Sequence, residues 1–469
     1  MTAELSRRNF LTAATGAIAT GVAGAGWQTA AAREEHGLVG LSATRIHKVY
    51  LAKPVPTWPK PDLDVPAEIR RIEERLAALV NRMPGIQLEG GELYRILQDV
   101  PSSAAALGNP DGLLIFNLTS TLSSHIERLA ATGLPTVLFS QPYSGHDWSA
   151  VPEMRKKGQR IICLATSDFD EIPGACRLIL TSHLMKNTRI LYVNTSPFSA
   201  QVCASIKERL GTEVIHITPE RVNAAYQAAD GAAARKGARD WIAGALRTVE
   251  PSEQEIENAS RLYLALRRLM EEERAQAVTI NCLGLFAQKR LPAYPCLAFC
   301  KMNDLGLVGV CEGDLDSTLT QLIFTYAFGI PGYVSDPVID TSSNTVIHAH
   351  CVSATKMDGP TGKPAPYIIR SHMEDNKGAS LQVKMRVGQV ITMAKLIRQD
   401  TMLISTGTIT GNPDSDRGCR TKITTKVADA QKLLNGYEGG LHRVIFYGDR
   451  TRAIRDLAGL MQFKVVEEC

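Results

Sequence analysis

The 469-residue chain contains no run of about 18 strongly apolar residues, so nothing in it reads as a membrane span. It also lacks a long run of either charge. Its 52 Lys and Arg against 48 Asp and Glu leave +4, which argues against nucleic acid or an anionic membrane surface as a partner. No internal repeat occurs at a solenoid or propeller period, and no tract is of low complexity. The ten cysteines form none of the paired Cys-x-x-Cys sets of a structural zinc site; Cys296 and Cys300 stand four apart with no second pair. Most lie in apolar runs such as Ile161-Ile162-Cys163-Leu164, the setting of buried free thiols, and a disulfide framework is not expected in so long a chain. What is present is the balance of a globular protein, 44% hydrophobic and 21% charged, long enough for two or three domains.

Residues 1–32 read as a twin-arginine export signal. Ser6-Arg7-Arg8-Asn9-Phe10-Leu11 supplies the motif, Phe10 to Gly26 a weakly hydrophobic core, and Ala30-Ala31-Ala32 a small-residue cleavage site. The expected address is periplasmic or extracellular, with no membrane contact beyond export. That route carries proteins already folded, so the thiols need not pair, and a metal can be loaded before export.

Strands and helices alternate through the first two-thirds of the mature chain. Val65 to Met83 has apolar residues at helical spacing, while Leu113 to Phe116 and Thr136 to Phe139 are short apolar runs suited to buried parallel strands. A second series runs from a strand at Arg160–Leu164 through strands at Ile190–Val193 and Glu213–Ile217. A long helix opens at Ser252, where Ser-x-x-Glu255 forms a capping box, and strands at 278–280 and 307–310 precede a helix near Leu315. After Gly332 strand-like runs follow one another with little helix between. The expected fold is α/β: two Rossmann-like α/β domains, 37–159 and 160–330, followed by a mostly antiparallel, barrel-like β domain, 331–469.

Glu312 and Asp314 fall between a buried strand and a helix, the crevice where open α/β sheets bind ligands, and a helix N-terminus there favours ionised carboxylates. Asp336 follows 24 residues later, after one helix and the turn Gly329-Ile330-Pro331-Gly332, so it can return to the same edge. Both carboxylates can equally be caps or surface groups. His348 and His350 share one face of a strand and can be ligands or edge histidines. His442 opens the last apolar strand, where a lone histidine is more often structural than a ligand. Carboxylates with imidazoles and no thiolate suit Mn²⁺ or a similar ion.

From about Asn281 to Met461 the chain resembles the L-fucose isomerase-like and L-arabinose isomerase-like sugar isomerases. The resemblance rests on Asn281-Cys282-Leu283-Gly284, Pro295-Cys296-Leu297-Ala298, Val310-Cys311-Glu312-Gly313-Asp314, Ser335-Asp336, His348-Ala349-His350-Cys351, Arg370-Ser371-His372-Met373-Glu374 and His442 to Asp449. It implies a metal-dependent aldose–ketose isomerase working through a cis-enediol. A divalent metal, usually Mn²⁺, is then held by Glu312, Asp336 and His442, with His350 a fourth ligand or a sugar contact, and Glu312 and Asp336 exchange the proton. It further implies a homo-oligomer, trimer or hexamer, in which the loop bearing Gln141, Tyr143 and His146 reaches a neighbour's sugar; His348 is a further candidate substrate contact. An exported sugar-binding protein, or a metal-dependent lyase or epimerase on a modified sugar, are the alternatives on the same scaffold.

Overall fold

The computed structural model describes residues 43–469; the export segment and residues 37–42 of the first domain lie outside the described residues. Two parallel α/β sheets are followed by a C-terminal antiparallel β-barrel. The first sheet contains β1 (Thr44–Leu51), β2 (Ile86–Tyr94), β3 (Gly112–Asn117), β4 (Thr136–Ser140) and β5 (Ile161–Ala165), in the order β2-β1-β3-β4-β5. Central strands β3 and β4 are buried throughout, which is why they read as unbroken apolar runs with no alternation. Helix Ile172–Lys186 lies so close to β3 that a Cβ on Gly112 would come within 2.4 Å of Ile179. Strand β5 corrects one boundary: it pairs with β4 and completes the first sheet, although alternation alone assigned it to the second domain. Pairing partners are a long-range property that a local apolar run does not encode.

The second sheet has the order β7-β6-β8-β9, with β6 (Arg189–Val193), β7 (Glu213–Ile217), β8 (Ala277–Ile280) and β9 (Val308–Val310). Its longest helix, Glu253–Glu273, starts with the expected capping box of Ser252 and Glu255.

In the barrel, β10 (Tyr333–Asp340), β11 (Thr345–His350), β14 (Val390–Ile397), β15 (Thr401–Gly411), β16 (Thr421–Val427) and β17 (Arg443–Tyr447) form a ring β14-β17-β10-β11-β16-β15, closed by β14 pairing with β15. Closure removes the free edges of the six strands. The hairpin β12 (Tyr367–Arg370) and β13 (Ser380–Val383) lies outside the ring, and β18 (Lys464–Glu467) adds to β15 in parallel.

Helix Leu315–Phe328 joins the second sheet to the barrel. Twelve of its fourteen residues are buried, so its apolar character extends all round. Thr320 receives the Leu396 amide at 2.8 Å, and Gln321 donates to Asn303 at 2.8 Å while its own carbonyl oxygen is left without a partner. This helix shares one hydrophobic core with the first sheet and with Ala394, Ile404 and Phe446 of the barrel. Its N-terminus is therefore held firmly, and the candidate site is built there.

Candidate metal centre

Three elements converge at the C-terminal edge of the second sheet. The chain leaves β9 through Cys311 and turns sharply, with Glu312 and Gly313 both at φ +66°. For a glutamate that conformation costs about 1–3 kcal/mol, and such outliers persist where the surroundings hold them for function. The Gly313 amide is tied to the end of β8 by a 2.9 Å bond to the Ile280 carbonyl. A Cβ on Gly313 would come within 3.1 Å of the Tyr192 ring, so the turn needs glycine. Asp336 lies on β10, opposite Ala349 of β11; on the other flank Ser335 pairs with Arg443 of β17. That register sets His350, at the end of β11, and His442, just before β17, on either side of Asp336.

The donor atoms of Glu312, His350 and His442 lie within 4.8 Å of one another, a group that can hold a metal ion. His442 Nε2 is 3.5 Å from Glu312 Oε2 and 3.2 Å from Asp336 Oδ1, and His350 Nε2 is 3.6 Å from Glu312 Oε1. Both Nε2 atoms are buried and without a hydrogen-bond partner, a costly arrangement unless something else occupies the space between them. Glu312 keeps 35% of its side chain accessible, so the group opens on that side. Asp336 stands beside the trio, touching it through His442.

The two histidines are prepared differently. Asp314 caps helix Leu315–Phe328, accepting from the Ser317 amide at 2.9 Å through Oδ1. Its Oδ2 collects the Ser317 hydroxyl at 2.6 Å, Lys395 Nζ at 3.1 Å and His442 Nδ1 at 2.8 Å. A carboxylate only accepts, so Nδ1 of His442 carries a proton and Nε2 is the atom that can exchange its own for a metal. Burial works against the cation, yet the carboxylates of Asp314, Asp336 and Glu312 outweigh it and push His442 up to about 11. The imidazoles of His350 and His442 in turn hold the Glu312 carboxyl well below the usual range. Burial would raise Asp314; His442, Lys395 and Ser317 overcome that and hold it well below. His350 instead accepts the Val352 amide at Nδ1, at 3.3 Å, which leaves the proton on Nε2, aimed at Glu312. His442 is thus built as a ligand, His350 as a donor.

Changing Asp314 to Asn keeps a good cap but removes the acceptor charge behind His442. The expected result is metal binding weaker by about 10–100-fold with helix content unchanged, measured by chelator competition and circular dichroism.

His348 is corrected. It points into the barrel, fully buried, with Nδ1 3.0 Å from the Ser335 hydroxyl and Nε2 3.1 Å from that of Thr425. Burial drives it down to about 3, and both nitrogens are occupied, so it is a core histidine with nothing left for a substrate. Gln141 accepts from Arg71, Tyr143 is 76% exposed at φ +70°, and His146 packs on Trp58. All three follow β4 in the first sheet, and none lines the cavities at the trio.

The thiols hold the feature that sequence reasoning missed. Cys282, Cys296, Cys311, Cys351 and Cys419 line one small chamber of about 30 Å³ with Glu312, Asp336 and His350. Cys311 lies beside Cys282 and Cys296, and Cys351 beside Cys419, close enough for each to perturb the others' ionisation. A signal existed: Cys311 precedes Glu312, Cys351 follows His350, and Cys282 follows the end of β8. The chamber has room for an ion and a water, not for a sugar. It opens into an 820 Å³ vestibule with which it shares Leu283, Phe286, Tyr294, His372 and Glu374. There Phe286 and Tyr294 stack at 3.7 Å between centroids, and the Tyr294 hydroxyl donates to Asp375.

No helix among the described residues is long and apolar enough to cross a membrane. No protein-family profile matches the chain, and no curated protein does. Among solved structures, a two-component system response regulator/GGDEF domain protein aligns over 50% of this chain and 81% of its own, at 16% identity and a TM-score of 0.21. At that score the likeness bears on neither fold nor function.

Proposed function

We propose that the chain is a metal-dependent aldose–ketose isomerase of the L-fucose/L-arabinose isomerase kind. The observation that carries this is the meeting of Glu312, His350 and His442 within 4.8 Å, with Asp336 beside His442 and with Glu312 and His350 on the small chamber that adjoins the vestibule. The orphaned Nε2 of His442 and the oxygen–nitrogen donor set fit a divalent ion such as Mn²⁺, held by Glu312, Asp336 and His442. When bound, the ion would polarise two neighbouring sugar oxygens and stabilise negative charge developing on them.

The side chains supply the rest. Converting an aldose to a ketose removes the proton on C2 and returns one to C1, while the hydroxyl proton of O2 is given up and O1 gains one. Glu312, held ionised, accepts the carbon-bound proton, and Asp336 serves the other side. His350 offers Nε2–H to a sugar oxygen. The stacked Phe286 and Tyr294 give the sugar ring an apolar wall at the vestibule. Gln141, Tyr143 and His146 would serve a neighbouring copy in a trimer or hexamer, and the protein would be exported folded with its metal.

The test incubates the mature, Mn²⁺-loaded protein with a panel of aldoses and follows ketose formation, with a chelator-stripped sample alongside. Ketose formed only with metal supports the proposal. Metal binding without turnover of any aldose overturns it in favour of a lyase or epimerase, and sugar binding that survives metal removal overturns it in favour of a binding protein.

A further inference from the structure

A second cavity, of about 590 Å³, lies on the far side of helix Cys296–Asp304 from the thiol chamber. The helices Gly231–Gly244 and Glu253–Glu273 form two of its walls, and the segments at 355–356 and 364–367, between β11 and β13, close it. Cys296 of this helix faces the chamber, whereas Leu297, Ala298, Lys301 and Asp304 face the second cavity. None of its lining residues belongs to the metal centre or the vestibule.

The walls are mainly apolar and aromatic. Trp241 meets Tyr367 edge-on at 5.4 Å, and the Tyr367 hydroxyl donates to the Trp241 carbonyl at 2.8 Å, so both rings are fixed. Tyr263, Leu264 and Leu297 complete that surface. The charges are unequal: three ammonium groups, Lys236, Lys301 and Lys356, face two carboxylates, Asp240 and Asp304, leaving one positive charge. Lys236 pairs with Asp240 at 2.7 Å. Lys356 donates to the Pro360 carbonyl at 2.8 Å. Asp304 is occupied by the Thr355 amide and hydroxyl and the Lys356 amide, at 2.6–2.8 Å. Lys301 sits 5.8 Å from the centre of the Trp241 ring, and Asp240 and Asp304 feel its charge without forming an ion pair with it among the described residues. Independently of these charges, Ser260 lines the cavity with a buried hydroxyl that has no partner. It is one of four such hydroxyls among the described residues, with those of Thr44, Thr279 and Ser405, and the one of the four that lines this cavity.

We propose that this cavity binds an amphipathic monoanion, an aliphatic or aromatic body carrying one carboxylate. The body fills the space among Trp241, Tyr263 and Tyr367, and the carboxylate meets Lys301 and the Ser260 hydroxyl. The volume suits one small organic ligand. Because the ligand touches the second α/β unit and the barrel's loops together, it bridges the two.

Octanoate and 1-naphthoate, each beside its neutral alcohol, are titrated calorimetrically into the mature, metal-loaded protein; the two pairs distinguish aliphatic from aromatic bodies. Each carboxylate that binds is expected to do so about tenfold more tightly than its alcohol, as a charge-assisted hydrogen bond in a partly buried site provides. Lys301→Met, which keeps the stem over Trp241, is expected to abolish that preference while sparing the alcohol. Leu264→Trp is expected to remove both by filling the cavity, and Lys289→Met in the other vestibule to change nothing. If Lys301→Met fails to fold, Ser260→Ala carries the same test, weakening the carboxylate alone. An undiminished preference in the Lys301 or Ser260 variant, amphiphile binding that ignores all of these substitutions, or no binding at millimolar ligand overturns the proposal.

Discussion

In the proposed isomerase, replacing Glu312 with Gln is expected to lower aldose turnover by about a thousandfold or more, because several kcal/mol of charge stabilisation would depend on the ion and each 1.4 kcal/mol is tenfold. The amide is nearly the same size but cannot be ionised, so it neither balances a divalent cation nor accepts a carbon-bound proton. His442→Ala should have a similar effect by a different route, since metal affinity falls first and activity follows. His350→Gln is expected to separate the two properties. Metal affinity stays near the wild-type value and kcat collapses, because Nε2 of His350 already carries a proton and serves as a donor. Isothermal titration with Mn²⁺ beside steady-state kinetics distinguishes the three.

The same geometry gives metal binding a pH dependence of known sign. In the metal-free protein His442 is raised to about 11, so at neutral pH its Nε2 proton must leave before the nitrogen can act as a ligand. Mn²⁺ affinity should therefore rise with pH, roughly tenfold per unit for each proton displaced, over the range below that value. Glu312, held low by the same imidazoles, releases no proton over that range. The metal-free fold should show the opposite trend. A folded-state value above the ordinary histidine value contributes stability that is complete below about pH 6.5 and is lost as pH rises towards 11. Melting temperatures with and without Mn²⁺ should then diverge as pH rises.

Much of this was legible in the sequence. Apolar runs such as Thr136 to Phe139 mark buried parallel strands, and Ser252 with Glu255 marks a helix start, because both signals are local. The grouping of Glu312, Asp336 and His442 was an expectation drawn from motifs rather than from spacing, and the side chains of Glu312 and Asp336 both come to His442 Nε2, at 3.5 and 3.2 Å. His348 and His350 share a face at period two, yet one lies inside the barrel and the other at its rim. That difference depends on where β11 ends against β16, which no local pattern carries. The five-thiol wall was hidden for the same reason. Each cysteine reads as an ordinary buried residue, and only the convergence of four strand ends with helix Cys296–Asp304 makes them neighbours. Asp314 was visible as a cap, but its contact with His442 spans 128 residues.

The second large effect is expected away from the metal centre itself, at Glu468. Its carboxylate receives Nε and Nη2 of Arg443 at 2.9 and 2.5 Å, and both side chains are only 2% exposed. Arg443 also donates to the carbonyls of Glu438, Gly440 and His442, and its guanidinium lies 4.0 Å from the Tyr437 ring centre. One side chain thus secures the whole turn that delivers His442 to the site. Glu468→Ala leaves that guanidinium buried without its counter-charge, a loss of about 3–5 kcal/mol in unfolding free energy. Denaturant melts should register this loss, and the turn it loosens should weaken Mn²⁺ binding as well. Pairing Arg443→Met with Glu468→Leu should recover much of the stability, since apolar side chains can replace a buried ion pair. It should not recover the metal affinity, because methionine holds none of the three carbonyls. A double variant that regained both would show that the pair stabilises the barrel without positioning His442, whereas recovery of stability alone identifies Arg443 as the residue that aims the ligand.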